Sequence, residues 1–167
     1  MKIAVIIGNP NPAGRTTTVA EAVAARIGAA VGRETEITAF ELAEISGDLF
    51  RWGAEPVERV VEAVRTSAAA VFASPTYKAS YTGLLKAFLD RFPNNGLDGV
   101  VAVPVMLGGA PIHHLAVETQ LRPVLVELAA VVPSKGLFVI DSQMDSLSET
   151  IEAWWELARR PILRSLG

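Results

Sequence analysis

At 167 residues, 50% of them hydrophobic, the chain is long enough to bury one good core and too short for two ordinary domains, so residues 1–167 read as a single domain. With 15 Lys plus Arg against 18 Asp plus Glu, the net charge is −3 and no basic run occurs, which removes the electrostatic reason to expect nucleic acid. The absence of Cys excludes disulfides, thiolate metal sites and thiol chemistry, and it is compatible with a reducing compartment, the cytoplasm by default.

Residues 3–7, after Lys2, form an apolar run that stops at Gly8-Asn9-Pro10, shorter than the core of a signal peptide, and residues 2–7 read as a buried strand. Val19, Val23, Ile27 and Ala30 then recur at helical spacing, followed by a strand over 34–39. Residues 41–55 are a long irregular connection carrying Phe50 and Trp52. A strand over 68–73 leads to a second helical stripe, Leu84, Leu85, Phe88, Leu89 and Phe92, ended by Pro93. Strands follow over 99–107 and 136–140, then a helix from about 146 to 163 in which Trp154 and Trp155 read as one core and one interface tryptophan. No apolar stretch approaches the ~20 residues that a membrane helix needs. Alternating β and α elements, several of the strands apolar throughout, predict an open, doubly wound α/β fold: five parallel strands, helices on both faces, ligands at the strands' carboxyl ends.

Three loops at those ends attract attention. The first, residues 8–18, places Arg15, Thr16, Thr17 and Thr18 at a helix start, where free N–H groups and the dipole suit a phosphate monoester. Thr18 followed by Glu21 also has the spacing of a capping box that needs no ligand, and the two readings are compatible. Pro10 stands where a dinucleotide loop has its second Gly, and Arg15 is not a Walker lysine, so a Rossmann dinucleotide site and an NTPase are both disfavoured. The second loop, residues 74–83, has small turn formers that let backbone approach a flat heterocycle, with Tyr77 as an aromatic edge or face. A plain strand-to-helix connection with Ser80 as N-cap fits the same spacing. In the third, Gly108 and Gly109 permit close approach of backbone to a ligand, and Pro111 suits a first helical turn. His113 and His114 are adjacent and would point about 100° apart on a helix, so they cannot chelate one metal, and no metal site is expected.

Together these segments resemble the NADPH-dependent FMN reductase family, flavodoxin-like in fold, and particularly the reductase component of two-component alkanesulfonate monooxygenase systems. The match runs through Gly8-Asn9-Pro10 with residues 15–18, through the specific stretch 74–86, and through Gly108-Gly109, His113, residues 116–118 and 121–125. The resemblance implies that Asn9, Pro10, Arg15, Thr16, Thr17 and Thr18 hold the phosphate and ribityl chain of FMN. It implies that Pro75, Thr76, Tyr77, Lys78 and Ser80 border the isoalloxazine ring, with Gly108 and Gly109 closing the far side beside His113. Hydride would pass from NADPH or NADH to flavin N5, with no catalytic acid or base required. It further implies a homodimer or homotetramer, for which the stripe starting at Leu84 and the segment around Phe50 and Trp52 are candidate contacts.

Some relatives carry a Tyr in a π-type bulge of the fourth helix where this chain has Thr119. Pro123, four residues on, cannot donate to the Thr119 carbonyl and crowds it, which predicts a bend or widened turn. The leading expectation is a reductase that delivers reduced FMN to a flavin-dependent monooxygenase. The alternatives are an enzyme that retains FMN and reduces quinones, azo dyes or metal oxyanions, and a flavodoxin-like electron carrier, which would favour a strongly charged docking face. A receiver-like regulatory module would want acidic residues where the strands end in Gly8, Ser74 and Leu107.

Overall fold

Runs of Ala, Val and Ile become strands because both faces of a central parallel sheet are covered, so neither side of the pleat needs polar residues. The computed structural model describes residues 1–167. Its strands are β1 Lys2–Ile7, β2 Glu36–Glu41, β3 Ala69–Pro75, β4 Val101–Gly108 and β5 Leu137–Ile140, all paired in parallel in the order β2-β1-β3-β4-β5. That is the flavodoxin-like order, with its switch point between β1 and β3. Helices α1 Arg15–Val31 and α5 Leu147–Leu166 cover one face, and α2 Glu55–Arg65, α3 Gly83–Leu89 and α4 Arg122–Glu127 the other.

The two cores follow from alternation along the strands. Val5, Val71 and Val103 meet Val19, Val23 and Ile27 of α1 and Ile151, Trp155 and Ile162 of α5. Ile6, Phe72 and Met106 meet Val57, Val61 and Val64 of α2, Leu85, Phe88 and Leu89 of α3, and Leu125 of α4. Fully burying such a side chain contributes about 1.5–3 kcal/mol.

Several expectations change on contact with this packing. β2 begins and ends two residues later than expected because it is an exposed edge strand, where apolar pattern is weak; its last residue is Glu41. The connection after it contains a 3-10 helix, Leu42–Asp48, and then α2, whose four valines recur at helical spacing and face the core. The stripe of α3 packs into that core, Leu85 and Phe88 being 0% exposed, which leaves little of it to offer a second copy. Both tryptophans are buried, and Trp154 Nε1 donates to the Lys135 carbonyl at 2.9 Å, so neither is a free interface residue.

Two caps are also corrected. Helix α1 starts at Arg15 with Gly14 as N-cap, so Thr18 lies inside the first turn and donates to the Gly14 carbonyl instead of boxing with Glu21. Thr82, not Ser80, caps α3: its Oγ1 accepts from Leu85 N at 3.1 Å and donates to the Gly8 carbonyl at 2.6 Å, tying the end of β1 to α3. The widened turn is present as a π-helix, Val117–Leu121, running directly into α4 with Pro123 at its start. Pro104 is tolerated in central β4 because the β5 ladder begins only at the next residue, opposite Val105. Gly136 accommodates the crowding there, since a Cβ on it would lie 2.7 Å from the Pro104 carbonyl oxygen.

Candidate functional site

The loops leaving β1, β3, β4 and β5 enclose a cleft of about 330 Å³ at the switch point, lined by 12 residues. Arg15 and Asp141 are its only charged members; Asn9, Asn11, Thr16 and Thr76 supply most of the remaining polar side chains.

The β1 loop builds one end of the cleft. Asn9, 9% exposed, accepts from the Asn11 N–H at 3.0 Å and donates through Nδ2 to Thr16 Oγ1 at 3.2 Å. Because Thr16 Oγ1 accepts that bond, its own proton is left to donate into the cleft. No side chain caps α1, so the N–H groups of its first turn retain the orphan donors and positive dipole end that attract an anion. Thr17 Oγ1 and the Ala13 N–H both donate to Glu41 Oε1, at 2.6 and 3.0 Å, and this brace holds Ala13 at φ 54°. Pro10, Thr17 and Thr18 lie outside the lining.

The β3 loop presents Pro75, Thr76 and Tyr77. Tyr77 and Ser80 exchange two backbone hydrogen bonds, of 2.8 and 3.1 Å, across Lys78 and Ala79, which sit at φ 51° and 65°. A two-residue turn of this hand ordinarily uses Asn-Gly, so a Lys-Ala pair there is strained backbone beside the cleft. Lys78 and Ser80 form this turn and do not line the cleft. Thr76 Oγ1 is buried without any hydrogen-bond partner. On β4, a Cβ at Gly108 would stand 2.7 Å from Phe138 Cζ and 3.4 Å from Thr76 Oγ1, so only glycine leaves that wall flat.

The sequence reading missed four lining residues, Asn11, Gly14, Leu107 and Asp141. Asp141 follows β5 directly, and its position at a strand's carboxyl end is the signal that would have found it. Its Oδ1 stands 3.2 Å from Arg15 Nη1, an ion pair joining the β5 end to the start of α1. His113 ends a 3-10 helix, Pro111–His113, outside the lining, and His114 Nδ1 lies 2.8 Å from the Pro111 carbonyl oxygen.

The two groups whose pKa is displaced, Tyr81 and Lys86, are not lining residues. Burial raises Tyr81 against the opposing effect of Lys86, and the hydrogen bond to Asp90 raises Lys86. The cleft holds no nucleophile paired with a base. Its chemistry is therefore that of holding: one end suits an anion, and flat backbone with a lone hydroxyl suits a polar ring edge.

Residues 1–145 match the family model described as NADPH-dependent FMN reductase. The chain is 31% identical over 147 residues to the FMN reductase (NADPH) of Escherichia coli (strain K12), covering 86% of this chain and 75% of that one. Among solved structures it is similar to the apo form of an NADH:FMN oxidoreductase (EMOB), at 31% identity and TM-score 0.76, covering 98% and 93% of the two chains. An oxidoreductase from Corynebacterium diphtheriae superposes with TM-score 0.85 at 28% identity, over 99% of this chain and 95% of the other.

Proposed function

Because the chain belongs to the NADPH-dependent FMN reductase family, we propose that its cleft takes FMN phosphate end first at α1, and that the reduced flavin leaves for a partner monooxygenase of the sulfonate type. The activity itself is NAD(P)H-dependent reduction of FMN. The observation that carries the site assignment is the pairing of an uncapped helix start beside Arg15 with a buried, unpartnered Thr76 hydroxyl in the same cleft. One feature fits a phosphate and the other a heterocycle edge, and FMN supplies both.

In this reading Asn9, Arg15, Thr16 and the first-turn N–H groups hold the phosphate, while Pro10, Thr17 and Thr18 shape the loop behind them. Thr76 donates to a polar ring edge, Pro75 and Tyr77 border the ring, and Lys78 and Ser80 form the turn that presents Tyr77. Gly108 and Gly109 keep the opposite wall flat, and His113 stands beyond it. FMN held there would supply the acceptor for hydride from the nicotinamide. The chain contributes orientation and exclusion of water, which is where a protein without an acid-base pair gains rate.

The same reading takes the chain as one domain, assembled as a homodimer or homotetramer, in the cytoplasm, where a chain without cysteine loses nothing to a reducing environment. No helix is long and apolar enough to cross a membrane. The test is a titration of FMN, from none to large excess over enzyme, while NADPH or NADH oxidation is followed by absorbance. A rate that rises and saturates with FMN over many turnovers supports free flavin as substrate. A protein that stays yellow and turns over only with added quinone, azo dye or metal oxyanion overturns the delivery role and leaves a flavin-retaining reductase.

A further inference from the structure

The Arg15–Asp141 ion pair has a consequence for how flavin is held. Arg15 is the only cation lining the cleft, and its guanidinium is already engaged by the Asp141 carboxylate at 3.2 Å. Asp141 itself lies against the β4 wall: its Oδ2 is 3.7 Å from where a Cβ on Gly109 would be. The pair therefore crosses from the phosphate end of the cleft to the wall assigned to the ring. Its two side chains are 61% and 40% exposed, and an ion pair so wetted is weak enough to open readily. A phosphate is the better partner, since it carries more charge, accepts two parallel bonds from a guanidinium and also gains the α1 N-terminus.

We propose that Asp141 is a positioning residue that competes with the FMN phosphate for Arg15, lowering flavin affinity so that FMN exchanges as a substrate. This rests on the assignment of the phosphate to Arg15 and α1. On binding, Arg15 gives up the carboxylate and takes the phosphate. Asp141 remains in the same cleft as a like charge facing the phosphate, so it opposes binding both before and after the exchange. On release, the carboxylate recaptures Arg15 and discourages rebinding.

The test is flavin binding without turnover, read by quenching of flavin fluorescence, with FMN and riboflavin as probes and wild type, Asp141→Asn, Arg15→Gln and the double variant as proteins. Riboflavin lacks the phosphate and reports the ring site alone. Asp141→Asn should tighten FMN roughly five- to tenfold and leave riboflavin within about twofold, the scale expected for an exposed pair plus removal of a like charge. In the Arg15→Gln background the same substitution should gain about twofold or less, because the shared partner is gone. In steady state the KM for FMN should fall in Asp141→Asn while kcat does not rise. Thermal melts of the ligand-free proteins check folding, and Asp141→Ser replaces Asp141→Asn if the latter fails to fold.

If FMN binds more tightly than riboflavin in an Arg15-dependent way, yet Asp141→Asn leaves that preference unchanged or weakens it, the competition is overturned and Asp141 instead steadies Arg15 on the phosphate. If wild type shows no preference for FMN over riboflavin, or Arg15→Gln does not alter it, the phosphate assignment itself fails.

Discussion

Thr76 carries a hydroxyl that the protein alone leaves unsatisfied, and such a group costs about 1–3 kcal/mol unless a ligand completes it. Thr76→Val keeps the shape and removes the hydroxyl. The ligand-free variant should melt at or slightly above the wild-type temperature while FMN affinity falls about tenfold, a split that differential scanning calorimetry and flavin titration would read together. A fall in both would make the hydroxyl structural. Gly108→Ala should behave oppositely: its Cβ meets Phe138 Cζ at 2.7 Å, so about 1–3 kcal/mol of stability is lost together with the flat wall, and flavin binding is lost with it. Arg15 and the paired glycines, which line the cleft, stood out in the sequence because each has a local pattern at a strand's end. Asn11 and Asp141 were not, since a lone polar residue acquires meaning only when the sheet brings its loop beside another. The split among Thr16, Thr17 and Thr18 was equally hidden: consecutive helical positions point in different directions, and Glu41, distant in sequence, takes the second of them.

At the scale of elements, α3 makes a prediction about alkaline pH. Tyr81 precedes the helix and Lys86 and Asp90 lie along it; burial lifts Tyr81 above its ordinary 10.0, and the Asp90 hydrogen bond, of 2.5 Å, lifts Lys86 above 10.5. For both groups the folded state binds its proton more tightly than the unfolded chain does. Their contribution is thus present in full below the unfolded values and is lost as pH rises through the raised folded ones. Denaturation midpoints should therefore fall as pH passes above about 10, and Tyr81→Phe or Asp90→Asn should each flatten that decline. A decline unchanged in both variants would place its cause elsewhere. The central strands were readable because burial on both faces makes them continuous apolar runs, whereas β2, open to solvent along most of its length, leaves no such trace. The π-helix was foreseeable for a different reason: Pro123 removes one specific donor, and the chain widens its turn immediately ahead of the loss.

For the whole molecule, the proposed assembly of copies of the chain calls for a surface that they would share. With the α3 stripe and both tryptophans of α5 buried, the exposed large apolar residues include Phe50 at 84% and Trp52 at 78%. They project from the connection between β2 and α2, and that connection is held firmly. Arg91, 6% exposed, donates to the carbonyls of Leu49 and Arg51 at 2.8 and 2.9 Å, pairs with Glu58 at 2.6 Å, and lies under the Trp52 ring at 4.5 Å from its centroid. A buried charged side chain that ties down a loop makes an aromatic pair rigid before it meets a partner, which lowers the ordering cost of association and suits a hot spot. Phe50→Ser with Trp52→Ser should accordingly shift the mass measured by light scattering to a smaller species while the chain stays folded, because neither side chain belongs to a core. Arg91→Met should loosen the same loop and weaken assembly less, leaving the aromatics present but unbraced. An unchanged mass in the double variant would overturn the assignment of the contact to this loop.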